Sequence, residues 1–140
     1  MREIKFRAWD KDDKVFFIPS AISQTNCGIH YGRQFKDGIK VKFYCEGTSP
    51  RDVFLYQYTG LKDRNGVEIY EGDIINIVRN KGQWYQDIIN NVFVKFTDCS
   101  FTYSVYEDNT HYETGLFTCI DSEIEVIGNI HQNPELLEAK

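Results

Sequence analysis

One methionine stands against nine tyrosines and ten phenylalanines, so side-chain bulk comes from rings rather than flexible thioethers, which favours strands. No apolar run approaches the ~20 residues that a membrane helix needs. Three charges in the first five residues, followed by a strand pattern, are not a signal peptide. No CxxC pair occurs among Cys27, Cys45, Cys99 and Cys119, which are separated by 18, 54 and 20 residues. Only Cys27 has a histidine three to five residues away, His30, and a single such pair does not make a four-ligand set, so structural zinc is not indicated. Four free thiols, mostly buried in strands, are expected of a cytoplasmic chain. There is no GxGxxG, no Gly-rich Lys-Ser/Thr loop, no HExxH and no GxSxG. His30, His111 and His131 lie apart, without metal spacing. No catalytic residue, cofactor or metal ligand is assigned, although a Cys–His pair assembled in space is not detectable in a sequence.

Lys and Arg are missing between Phe96 and Ala139, where nine acids fall. Residues 1–50 hold nine Lys/Arg and six Asp/Glu, a net of +3; residues 51–140 hold seven and fifteen, a net of −8. Only the N-terminal part offers a basic surface to a polyanion, through Lys5, Arg7, Lys11, Lys14, Arg33, Lys36, Lys40 and Lys42. The same asymmetry allows the positive part of one copy to face the negative part of another.

What is present is β pattern. With 41% hydrophobic and 15% aromatic residues, the 140-residue chain can bury a core. Glu3–Trp9 alternates and, with the polar turn Asp10–Lys14 and Val15–Ile18, reads as a hairpin. Pro19–Lys40 has little period and reads as mostly loop, and Ile39–Tyr44 alternates as a strand. Val53–Tyr58 is a run of β-formers ended by Thr59-Gly60. Asn65-Gly66 signals a primed hairpin turn, and Glu71-Gly72-Asp73 a second turn, with Asp73 folding its carboxylate back onto backbone N–H groups. After the strand Ile74–Val78, Asp87–Thr97 reads as a strand broken at Asn90-Asn91. Asp98–Ser100 turns into Phe101–Tyr106, and Tyr112–Ile120 and Ile124–Ile127 finish the sheet. Asn133 is placed to N-cap a short helix with Pro134 at its first position, and Leu136 and Leu137 to dock it.

QYTGLKDRNGVEIYEGDII, from Gln57, resembles the central signature of the YopX family of phage and prophage proteins. MREIKFRAWD (Met1–Asp10) and VIGNIHQNPELL (Val126–Leu137) agree with it, so the resemblance spans the chain, residues 19–52 apart. It implies a phage or prophage origin, and an SH3-like barrel for the C-terminal part. It implies no reaction, because the family offers no catalytic residues to carry over.

The expected architecture is therefore mainly β (β-rich α+β). An N-terminal β lobe with a loop-rich insert covers residues 1–52; an SH3-like small barrel with a closing C-terminal helix covers residues 53–140. The structural signature is Gly60, Gly66, Gly72, Asp73, Gly128, Asn133 and Pro134. Three functions stay open. The first is a non-enzymatic adaptor in the host cytoplasm that binds a phage or host protein and itself, with Trp9, His30, Tyr31, Arg33, Trp84 and Tyr85 as interaction residues. The second is a nucleic-acid-binding module on the basic N-terminal lobe. The third is a metal-dependent enzyme using the carboxylates Glu68, Glu71 and Asp73.

Overall fold

The computed structural model describes residues 3–25, 28–34, 41–45, 53–79, 87–107, 110–119 and 122–138. It is mainly β, with antiparallel sheets and one short α-helix among the described residues. The chain divides into two compact units: Ile4–Gln57, and Tyr58–Lys140 with Met1–Glu3.

In the first unit, β1 (Phe6–Asp10) and β2 (Val15–Phe17) form the expected hairpin. Asp10 closes its turn by accepting the N–H groups of Asp12 and Asp13 at 3.0 and 3.1 Å. β1 pairs on its other side with Val53–Gln57, the first half of β6 (Val53–Lys62), with Ala8 opposite Leu55. A half-buried β1 is expected, but Ala8, Trp9 and Asp10 are all buried. Aromatic packing is the reason: Trp9 lies 4.9 Å from Phe16, and Phe16 6.1 Å from Tyr56.

Residues 19–40 are not mostly loop. Ala21–Thr25 (β3) and Gly28–Gln34 (β4) are strands, and they form an antiparallel sheet with Val41–Cys45 (β5). Ladder bonding supplies here what side-chain period does not. Gly32 permits a close approach, since a Cβ on it would meet Ser20 Oγ at 3.0 Å, and the Ser20 N–H donates to the Gly32 carbonyl at 2.8 Å.

In the second unit, β6 does not stop at Gly60. Gly60 takes φ +90° inside the strand, where the pairing with β7 (Glu68–Tyr70) shifts register between Tyr58 and Lys62. The glycine makes a bulge rather than an end. The following turn also differs from the primed two-residue form. Only Gly66 is left-handed (φ +81°), and the Gly66 N–H donates to the Asp63 carbonyl at 2.9 Å. The primed geometry, with φ positive at both central residues, appears instead at Asp98 (49°) and Cys99 (62°).

β8 (Asp73–Arg79) lies between β9 (Asp87–Phe93) and β13 (Glu123–Asn129). The break expected at Asn90-Asn91 is a bulge opposite Asn76, whose Oδ1 accepts the Asn91 N–H at 3.0 Å. β10 (Lys95–Thr97), β11 (Ser100–Glu107) and β12 (Thr110–Gly115) form a further sheet. Leu116–Cys119 is a 3-10 turn, not a continuation of strand, because Leu116 and Cys119 both turn into the core. That core gathers Ile69, Ile75, Ile77, Val94, Tyr103 and Ile124 with their neighbours. α1 (Glu135–Glu138) follows Asn133-Pro134 as expected. The Asn133 carbonyl accepts the Leu136 N–H, while its side-chain Oδ1 accepts from Asn129 N at 3.4 Å instead of capping the helix.

Candidate functional site

The Asp98-Cys99 turn sets Phe96 of β10 directly opposite Phe101 of β11, their rings edge-on with centroids 5.1 Å apart. The 3-10 turn brings Leu116 and Phe117 alongside. Gly115 makes this possible: a Cβ there would lie 2.4 Å from the Phe117 ring. Thr118 Oγ1 anchors the turn on the Gly115 carbonyl at 2.8 Å. From β6, Thr59 and Leu61 complete a groove of about 370 Å³, with Cys99 and Ser100 at its turn. Leu116 is buried at its floor, whereas Phe96 is 47% and Phe117 65% exposed. No Asp, Glu, Lys, Arg or His lines it, and the hydroxyls of Thr59 and Ser100 are engaged with the carbonyls of Ile69 and Thr97. Such a surface suits apolar side chains and holds no acid–base pair.

Two polar clusters flank the same core. Arg79 Nη2 donates to the Tyr103 hydroxyl, which also accepts from the Cys119 thiol at 3.5 Å. Burial and the Cys119 contact push the Tyr103 hydroxyl far above its usual pKa, against the opposing pull of Arg79. On the β10–β12 sheet, Glu113 accepts from Lys95 Nζ, Thr97 Oγ1 (2.7 Å) and Thr102 Oγ1 (3.3 Å). The Lys95 bond, then that of Thr97, lowers the Glu113 pKa to about 2.

Around Gly72 and Asp73 the backbone is tied by hydrogen bonds. Gly72 N–H donates to the Val94 carbonyl (2.7 Å), Val94 N–H to the Asp73 carbonyl (2.9 Å), and Ile130 N–H to the Gly72 carbonyl (3.0 Å). Asp73 is buried, and its Oδ2 accepts the Tyr70 N–H at 2.8 Å, so its carboxylate does fold back on the backbone. Glu68 accepts the Tyr70 hydroxyl at 2.8 Å. Among the described residues, which include Glu68, Glu71 and Asp73, no three His, Cys, Asp or Glu side chains are grouped to hold a metal ion.

Of the expected interaction residues, Trp9 is 5% exposed, so its ring is core rather than contact surface. His30, Tyr31 and Arg33 all lie on β4. Trp84 and Tyr85 lie outside the described residues. Of the cysteines, Cys99 is free and exposed at a turn and Cys119 free and buried. Phe96 and Phe117 escape sequence reading, because nothing local separates a ring that fills a core from one that lines a groove. No described helix is long and apolar enough to cross a membrane.

Comparison with known proteins covers nearly the whole chain. The family model of the YopX protein matches residues 5–138. Among solved structures, protein yopX from Bacillus subtilis is 25% identical, with a TM-score of 0.63 over 98% of this chain and 99% of that one. Protein EF1440 from Enterococcus faecalis is also 25% identical, with a TM-score of 0.50 over the same shares. No curated protein matches. With its signature segments building the corners of the fold and the family model covering it almost end to end, this chain belongs to the YopX family.

Proposed function

We propose that this protein is a non-enzymatic adaptor of phage or prophage origin, acting in the host cytoplasm, that binds a phage or host protein and also self-associates. The observation that carries the reading is the groove of about 370 Å³ between the β6 bulge, the β10–β11 hairpin and the 3-10 turn. Phe96 and Phe117, exposed at the edge of an apolar groove, would be stabilised by another apolar surface that covers them. A partner side chain inserted between Phe96 and Phe117 would bury both rings and form the kind of aromatic anchor on which protein interfaces concentrate their energy. Charge is absent from the lining, so the contact selects by shape and apolarity.

The test is affinity capture from phage-infected cells with the wild-type chain and with Phe96→Ser/Phe117→Ser. The exposed positions tolerate the change, so the variant is expected to keep its circular dichroism spectrum and lose the captured protein. Equal capture by both chains would eliminate the groove as the contact.

A further inference from the structure

The Asp98-Cys99 turn fixes which way the backbone of β10 faces. A two-residue primed turn closes on a hydrogen-bonded pair, here Thr97 and Ser100, and such pairs alternate along the ladder with pairs that exchange no bonds. Lys95 opposite Thr102 is therefore bonded, and Phe96 opposite Phe101 is not. The N–H and carbonyl of Phe96 point away from β11, to the outer edge of β10. Val94, two residues earlier, faces the same way and meets the corner that follows β7: its carbonyl accepts the Gly72 N–H at 2.7 Å and its N–H donates to the Asp73 carbonyl at 2.9 Å. From that corner β7 diverges to pair with β6, and β10 ends its sheet among the described residues. The edge at Phe96 is thus left open beside the groove that Phe96 lines with Thr59 and Leu61 of β6. On the β6 side, the Leu61 N–H donates to the Thr59 hydroxyl of its own strand at 3.2 Å.

Whatever covers the Phe96 and Phe117 rings also takes water from the Phe96 N–H and carbonyl, and a backbone group buried without a partner is destabilising. That requirement decides the kind of occupant. A helix keeps its backbone bonds within its own turns and offers none sideways. An extended segment antiparallel to β10 presents one N–H and one carbonyl at the residue opposite Phe96, the complements of the two exposed dipoles. Residues directly opposite share a face, so that same residue directs its side chain between Phe96 and Phe117. No Asp, Glu, Lys, Arg or His lines the groove, so a charged side chain would find no counter-charge there and the inserted one is apolar.

We propose that the groove takes an extended apolar strand of the partner protein, added to the outer edge of β10. One residue of that strand bonds both the N–H and the carbonyl of Phe96 and seats its side chain between Phe96 and Phe117. This rests on the groove being the contact and names the conformation and chemistry of what fills it. The probe is the blocked peptide acetyl-Thr-Val-Phe-Val-Thr-amide, titrated into the isotope-labelled full chain and followed by NMR. Two further forms carry an N-methyl group, one on the Phe, whose N–H would donate to the Phe96 carbonyl, the other on the Val after it, whose N–H faces away. The parent peptide should shift the Phe96 amide, whose hydrogen exchange is fast in the free chain, and slow that exchange at least about tenfold. N-methylation of the Phe should weaken binding at least about tenfold, while N-methylation of the Val leaves it unchanged. Equal binding of the two N-methyl forms to wild type, with binding lost in Phe96→Ser/Phe117→Ser, would overturn strand addition and leave the groove as the contact. A parent peptide that binds this variant as well as wild type sits elsewhere, which overturns the proposal too. So does a Phe96 amide already protected in the free chain, or no binding of the parent at millimolar concentration.

Discussion

Asp63 uses both carboxylate oxygens on backbone N–H groups. Oδ1 accepts from Asn65 and Val67, each at 2.8 Å, and Oδ2 from Val126 of β13 at 3.1 Å. Burial raises the pKa of this group, but the bonds from Val67, Val126 and Asn65 outweigh it and the net shift is downward from 3.8. A carboxylate with a depressed folded pKa contributes stability that is complete above the unfolded value and lost as pH falls through the folded one. Asp63→Ala should therefore cost about 2–3 kcal/mol at neutral pH, since buried donors lose their acceptor. In urea melts, the gap from wild type should close as the pH falls below 3.8. A gap that persisted unchanged in acid would mean that the carboxylate charge is not what the turn uses. At this scale the sequence was partly legible. The left-handed Gly66 follows from its type, and the folded-back Asp73 from its place after Gly72. Asp63 was not legible, because its third donor comes from a strand 63 residues away. Cys99 in a primed turn was not legible either, since cysteine has no preference for positive φ.

Gly128 shows how two elements meet. β13 shifts register between Val126 and Gly128, and the chain then turns through Asn129, which accepts the N–H groups of His131 and Gln132 at 3.1 and 2.9 Å. A Cβ on Gly128 would lie 2.6 Å from Asn133 Oδ1 and 2.8 Å from its Cγ. Gly128→Ala should displace Asn133 and lower stability by about 1–3 kcal/mol, read as a drop in melting temperature. Adding Asn133→Ala, which removes the obstructing atoms, should recover part of that loss; strict additivity of the two changes would refute the clash. The Asn-Pro start of α1 was readable from residue type. That the asparagine side chain turns back to Asn129 was not, since Asn can accept from either side of a cap. Likewise β3 and β4 lacked periodicity, and their pairing with β5 made them strands.

Across the molecule, charge divides as the fold does. Residues 4–57 carry a net of +3, and residues 58–140, with six Lys/Arg and fourteen Asp/Glu, a net of −8. If copies associate basic unit to acidic unit, the interaction is screened over roughly 10 Å at 0.1 M salt. Sedimentation velocity should then show a larger species at low ionic strength that dissociates as salt rises, while an apolar contact would hold or tighten; a monomer at every salt concentration would refute self-association. That charge division, the β class, the turn positions and the family are written in residue type and order, because alternation and turn preferences are local properties. Burial is not local. Trp9 went into a core and Phe117 into water, although both are aromatics beside polar residues. Which side chains meet depends on strands brought together from distant parts of the chain, so the groove was decided by the tertiary structure alone.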